Sequence, residues 1–317
     1  MVLNPKVSII IPVFNGSNYL REAIDSALAQ TYENIEVIIV NDGSNDGGKT
    51  EALAKSYGDK IRYFYKDNGG VASALNLGIR EMKGEYFSWL SHDDVYYSNK
   101  IKIQINYLRN HGDNCILYSD YDFIDDESKL IRTERIEHIA PSKIRYALIT
   151  SYPINGCTTL IPKSCFDDIG FFNERLRMTQ DYEMWFRIAG KYNFIHIPNV
   201  LIKSRLHPEQ GSRSKTSDFQ TECNNLYIRF LKCITYQDIL NFEDESVGSF
   251  YIKSSIALKK KGYKKAAKFA LRKPIWNFPK IDLISLFEII IIYSWLTVFN
   301  RFNMFNSFSS RISGQIK

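Results

Sequence analysis

Cysteine is scarce and unpatterned. The five residues Cys115, Cys157, Cys165, Cys223 and Cys233 are odd in number and never spaced as CxxC, which argues against a disulfide framework or structural zinc and fits a reducing cytosol. Proline and glycine are also few, 9 and 17 in 317 residues, so collagen-like and low-complexity chains are excluded. The phosphate loop GxxxxGK[ST] does not occur, no GxGxxG follows the first apolar run, and GxSxG and HExxH are missing, which sets aside the familiar nucleotide, esterase and metalloprotease motifs. No zinc-finger or RRM signature appears, and no nucleic-acid partner is expected. Met1 to Lys6 runs straight into an apolar strand, without a basic n-region, long h-region or small-residue cleavage site. The expectation is a protein not exported by a signal peptide.

What is present is enough apolar residue, 44%, to bury at least one sizeable core. The net charge of +6 is uneven: nine Lys or Arg and no acid lie between Lys259 and Lys280, so the remainder carries about −3. The first hundred residues alternate two periods. Val7 to Val13, Ile35 to Val40, Ile61 to Tyr65 and Tyr86 to Leu90 are apolar runs of the kind buried on both faces of a sheet. Between them, Leu20, Ala23, Ile24, Ala27 and Leu28, then Val71, Ala74, Leu75, Gly78, Ile79 and Met82, have helical spacing. This predicts an α/β fold with a mostly parallel sheet covered by helices. Further strand-like runs are Cys115 to Tyr118, Cys157 to Ile161, Phe194 to Ile197 and Val200 to Ser204, with a helix around Tyr182 to Ala189. Beyond Pro208 to Ser212 the chain reads as helical, with Ser255 to Lys260 and Lys264 to Leu271 as a helix pair ending before Pro274.

Ligands of such sheets sit beyond the carboxyl ends of the strands, and here every strand empties into small, polar or acidic residues. Asp93-Asp94 sets two carboxylates at a strand mouth, where they repel and neither helps the fold. A divalent cation bridging to phosphate oxygens would neutralise them, and such oxygen ligands suit Mg2+ or Mn2+. The plainer alternative is a solvated turn with Asp94 or Ser98 capping a helix from near Asn99. The run from Asp42 to Gly47 opens like a calcium loop, but its twelfth position is Leu53, so calcium is not expected. Asp42 either accepts hydrogen bonds from a base or sugar, or belongs to an ordinary βα turn capped by Ser44 or Asp46. In Gln180-Asp181-Tyr182-Glu183, helical geometry puts Asp181 on the face of Met184, Trp185 and Ile188 and turns Glu183 elsewhere. Asp181 is then a desolvated general base, against the pull of the helix dipole, or simply a helix cap. His207 is a metal ligand or a structural histidine. The basic stretch, interleaved with Leu258, Tyr263, Phe269 and Leu271, suits an anionic membrane surface or forms the solvated face of a helix hairpin. Leu283 to Phe299 carries Glu288 and is marginal for spanning, so it reads as an interfacial or packed amphipathic helix.

Taken together, Ile10-Ile11-Pro12-Val13-Phe14-Asn15-Gly16, Val40-Asn41-Asp42-Gly43-Ser44, Asn68-Gly69-Gly70, Asp93-Asp94 and Gln180-Asp181 resemble the successive signatures of family 2 glycosyltransferases, over roughly Lys6 to Ser212. The resemblance implies the GT-A nucleotide-diphosphosugar transferase fold over residues 1–215, with a helical, basic region over 216–317. It implies that Pro12, Phe14, Asn15, Asp42 and Asn68 hold the nucleotide, usually uridine. Asp93 would position the sugar diphosphate, Asp94 with His207 would hold Mn2+ or Mg2+, and Asp181 would act as base. Two positions depart from the family pattern. Ser91 stands where an acid is common, which moves coordination to Asp94. Leu75 replaces an arginine before Asn76, so a phosphate or uracil contact is lost or comes from elsewhere, for example Lys66. The implied function is inverting sugar transfer from a UDP-sugar to a glycan or glycolipid acceptor in surface polysaccharide synthesis, by an enzyme peripheral on the inner face of the cytoplasmic membrane. A sugar nucleotidyltransferase would share a related sheet but would show a Gly-rich basic loop after the first strand. A non-catalytic nucleotide-sugar-binding protein would keep the acids without turnover.

Overall fold

The computed structural model describes residues 4–112, 114–208, 217–242 and 246–277. The chain divides into two compact units, Met1–Leu148 with Tyr152–Lys215, and Ile149–Ser151 with Thr216–Lys317.

In the first unit the elements run β1 (Val7–Val13), α1 (Leu20–Leu28), β2 (Ile35–Asp42), α2 (Lys49–Lys55), β3 (Arg62–Lys66), α3 (Val71–Glu81), β4 (Tyr86–Trp89), β5 (Val95–Tyr96) and α4 (Lys100–His111). There follow β6 (Cys115–Ile124), β7 (Leu130–Glu134), α5 (Ile144–Thr150), β8 (Ile161–Pro162), α6 (Lys163–Ile169), α7 (Gln180–Ile188) and β9 (Asn193–Arg205). The larger sheet has the order β3-β2-β1-β4-β8. Its first four strands are parallel and β8 is antiparallel to β4. β1 is buried at every position, as a strand flanked on both sides and covered on both faces must be. α1 buries Leu20, Ala23, Ile24 and Ala27. α3 approaches the sheet closely at Gly78, where a Cβ would lie 2.5 Å from Ile10 Cγ2. A second sheet has the order β5-β9-β6-β7.

Three expectations are corrected. Phe194 to Ile197 and Val200 to Ser204 are one strand, β9. It pairs with β6 in parallel, with register shifts around Ser119, Asp120 and Tyr121 that absorb Pro198 and Asn199. Cys157 to Ile161 is not a strand throughout: the Asn155 side chain accepts the Cys157 N–H at 2.9 Å and starts a single 3-10 turn over Gly156–Thr158. Neither Asp94 nor Ser98 caps α4, whose flanking residue is Asn99 without a side-chain bond.

The second unit is helical: α8 (Ser217–Cys233), α9 (Tyr236–Leu240), α10 (Val247–Lys260) and α11 (Lys264–Asn277). α11 continues past Pro274, beyond the end read from sequence. Part of its basic stretch faces inward. Lys261 donates to the Ile149 and Ser151 carbonyls, and Lys273 to those of Leu231 and Ile234. Burial pulls the Lys261 ammonium down to about 7, because a desolvated cation loses hydration that the carbonyls only partly replace. Among the described residues no helix is long and apolar enough to cross a membrane; Leu283 to Phe299 lies outside them.

Candidate active site

The carboxyl ends of the parallel strands are stitched together by side chains. Asn15, in the left-handed region at φ 51°, donates through Nδ2 to Asn45 Oδ1 at 2.7 Å and accepts the Asn45 N–H at 2.8 Å. The loops after β1 and β2 are thereby joined. Asp42 closes the next pair. Its Oδ1 accepts from Lys66 Nζ at 2.8 Å and the Gly69 N–H at 3.0 Å, its Oδ2 accepts the Gly70 N–H at 2.7 Å, and its carbonyl accepts from Asn68 Nδ2 at 2.9 Å. Asn15, Asp42 and Asn68 thus shape the strand-end surface by binding one another's loops, while Phe14 stands exposed beside them.

Gly43 is required for this closure, since its φ is +73° and a Cβ there would lie 2.6 Å from the Asn68 backbone nitrogen. Gly43→Ala is expected to cost about 1–3 kcal/mol for the backbone conformation, and more for the collision with backbone. Gly47, at φ +70° with nothing within 4 Å, separates the two terms in urea unfolding. Equal losses for Gly43→Ala and Gly47→Ala would show that the contact costs nothing.

Below these loops opens a cavity of about 530 Å³ whose wall includes Pro12, Trp89, Asp93, Asp94, Arg177 and Asp181. Segments distant in the chain converge here, and the gap is open rather than filled with hydrocarbon. Asp93 and Asp94, on the loop after β4, are both buried. Asp94 Oδ1 accepts the Arg205 backbone N–H at 2.9 Å, and Asp93 Oδ2 meets His207 Nε2 at 2.9 Å. Burial first, and the Asp93 charge second, push the Asp94 carboxyl up to about 7, against hydrogen bonds from the Arg205 N–H and the Cys157 and Ser204 side chains. Burial also lowers His92 below its ordinary value, favouring the neutral ring. The Arg205 guanidinium, fully buried, donates to the Asp93 and Asp125 carbonyls and to Ser128 Oγ, each at 2.9 Å, and pairs with Glu22. Outside the cavity wall, the buried Lys100 ammonium donates to Ser88 Oγ and Gln104 Oε1 at 2.9 Å. Gly156 lies so close to Trp89 that a Cβ would sit 2.5 Å from its ring.

α7 sorts its two carboxylates. Glu183, expected to point away from the core, is the buried one, held by Arg187 in an i,i+4 pair at 2.9 and 3.0 Å. Arg187 also donates to the Ile169 and Phe171 carbonyls, so this pair fixes the helix. Asp181, in the first turn, is half-buried on the cavity wall, its Oδ1 accepting the N–H of Tyr182 at 2.8 Å. Met184, Trp185 and Ile188 anchor the helix in the core.

Residues 8–170 match Glycosyl transferase family 2. The chain belongs to that family. A protein of Rickettsia felis named "uncharacterized glycosyltransferase" is 48% identical over 287 residues, covering 88% of this chain and 47% of that protein. A Rickettsia typhi protein of like name is 49% identical over 273 residues, covering 84% of each. The chain therefore spans about half the length of the first relative and most of the second. The structure of S. aureus TarS residues 1–349 in complex with UDP-GlcNAc aligns with a TM-score of 0.59 at 14% identity, covering 88% of this chain and 94% of that one. The fold is GT-A.

In this family 2 glycosyltransferase, His207 meets Asp93 rather than Asp94, and its ring lies 5.2 Å from that of Tyr19. Among the described residues no three His, Cys, Asp or Glu side chains gather into a metal cage. The donor set still fits a divalent cation of the Mg2+ or Mn2+ kind, which takes one or two carboxylates and completes its shell on substrate phosphate and water. A buried acid pair, one member of which resists ionisation, is the chemistry such a cation relieves. Sequence reasoning missed Arg177, Tyr121 and Trp89 on the cavity wall. Arg177 had a readable signal, a basic residue four positions before Asp181; the aromatic wall had none, because Trp89 reads as a core strand residue and Tyr121 falls outside the strand-like run Cys115 to Tyr118.

Proposed function

We propose that the protein is an inverting transferase that moves a sugar from a nucleoside-diphosphate donor, UDP in the first instance, to an acceptor hydroxyl by one in-line displacement. The observation that carries this is the meeting of Asp93, Asp94 and Asp181 on one cavity wall. The UDP-GlcNAc complex of the fold relative TarS supports the choice of uridine. Pro12, Phe14, Asn15, Asp42 and Asn68, at the adjoining strand ends, are assigned to the nucleoside, and Asp93 to the sugar diphosphate. Asp181 accepts the acceptor hydroxyl's proton as its oxygen bonds to the anomeric carbon, and the bond from that carbon to the β-phosphate oxygen breaks with the electron pair leaving on the diphosphate. Asp94, steadied by the Arg205 N–H, would hold Mn2+ or Mg2+, whose charge stabilises the departing diphosphate. Burial of the acid pair keeps water from screening that charge.

Incubation with a panel of nucleotide sugars tests this. Metal-dependent release of UDP, accelerated by a glycan or glycolipid acceptor, is the expected result. Pyrophosphate release from a nucleoside triphosphate, or no turnover of any donor, would refute it. Asp94→Ala is expected to weaken donor binding only when the metal is present, by at least the roughly 10- to 100-fold typical of disturbing a metal's surroundings. A normal metal titration would remove Asp94 from the site. We further assign the protein to the inner face of the cytoplasmic membrane as a peripheral enzyme of surface polysaccharide synthesis. Support comes from the exposed Lys260, Lys264, Lys265 and Arg272, each worth about 1 kcal/mol near anionic headgroups. Lys261 and Lys273 are spent on carbonyls and do not contribute.

A further inference from the structure

We infer that Arg177 is the protein's own cationic contact to the donor diphosphate, an inference that rests on the transferase reading above. Among the described residues the cavity wall carries three carboxylates, Asp93, Asp94 and Asp181, and a single Lys or Arg side chain, Arg177. A diphosphate is a concentrated anion, and its charge grows as the sugar departs. Fixed positive groups in the wall must meet that charge. Two other basic side chains of the first unit, Lys66 and Arg205, do not line this cavity. Lys66 donates to Asp42 and to the Asp67 carbonyl and does not line the cavity. The Arg205 guanidinium is fully buried among carbonyls, Ser128 and Glu22.

Arg177 has a prepared seat. Gly70, at φ +90°, immediately precedes α3, and a Cβ there would lie 2.6 Å from Arg177 Nη1. The guanidinium therefore rests against the turn between Asn68 and Val71, and Val71 itself lines the cavity. That turn is rigid, because the Asp42 carboxylate accepts both the Gly69 and Gly70 N–H groups. A planar guanidinium seated in this way presents a fork of donors suited to two phosphate oxygens at once. Four residues later the same segment delivers Asp181. The stretch leading into α7 thus supplies both the anion contact and the proton acceptor to one cavity.

Titration calorimetry of the full chain with UDP and with uridine, each in Mg2+ and in EDTA, tests the inference. The transferase reading requires wild type to prefer UDP; no preference would overturn that reading and this one together. Given the preference, Arg177→Ala is expected to reduce it by roughly tenfold or more, the loss of one charge-assisted bond, with uridine affinity unchanged. The reduction should persist in EDTA, and Arg177→Lys should recover part of it. An unchanged UDP-to-uridine ratio in Arg177→Ala overturns the inference alone, as does an equal loss for both ligands, which would mark Arg177 as merely structural.

Discussion

Asp181→Asn is expected to slow sugar transfer by about 10²- to 10⁴-fold, the range a positioned general base supplies, while UDP affinity stays within about twofold. The two effects separate because of how Asp181 is held. Its Oδ1 accepts the Tyr182 N–H, a bond that an asparagine Oδ1 can keep. The side chain's place in the first turn of α7 and the core packing of Met184, Trp185 and Ile188 are then unchanged. What disappears is a group able to take the acceptor's proton. Glu183 provides the contrast on the same helix. It is buried against Arg187, so Glu183→Gln weakens a charge-assisted structural pair and should lower thermal stability before it alters chemistry. Steady-state rates with a saturating donor, alongside UDP titration, decide the matter. Undiminished turnover in Asp181→Asn would end the base assignment, and collapse of UDP binding would show that the carboxylate holds the site's shape.

The parallel strands were legible because each is buried on both faces and reads as an unbroken apolar run, from Val7 to Val13 most clearly. The strand-end chemistry was legible for a related reason: a parallel sheet directs its loops to one edge, so short polar motifs after each strand must converge. Local patterns failed where the outcome was set by partners distant in the chain. Glu183 reads as a surface acid until Arg187 is seen reaching on to Ile169 and Phe171. Lys261 and Lys273 read as part of a solvated basic stretch, yet each ammonium satisfies carbonyls contributed by other segments. β9 reads as two strands because Pro198 and Asn199 interrupt its apolar period, whereas pairing with β6 carries it through. His207 could be placed near the acid pair by resemblance, but no local pattern tells that it meets Asp93 while Asp94 takes the Arg205 backbone N–H. None of these choices has a period, so none is visible in a window of neighbouring residues.

Arg205 itself should contribute measurably to the stability of the first unit. Arg205→Met, close in length and apolar, is expected to cost about 1–3 kcal/mol, the range for leaving one buried polar group unsatisfied. Glu22 contributes little of this, since its carboxylate is 44% exposed and regains water. The loss comes chiefly from the Asp93 carbonyl, which is left without its Arg205 donor and is worth about 1–3 kcal/mol when unsatisfied, whereas the Asp125 carbonyl keeps the Ser128 N–H at 3.2 Å and Ser128 Oγ keeps Glu22 at 2.9 Å. The packing of the guanidinium on Tyr19, 4.5 Å from the ring centroid, is partly kept by the methionine. Arg205→Lys should recover less than half, because one ammonium cannot span the loop after β4 and the turn after β6 together. Urea unfolding of both variants measures this, and a methionine variant as stable as wild type would show that the network only balances its own desolvation. The substitution also dissects the site. The backbone N–H of residue 205 remains, so Asp94 keeps its donor, while the Asp93 carbonyl loses its partner. If the folded variant binds donor less tightly, the loss therefore enters through the loop position of Asp93 and not through the carboxylate of Asp94.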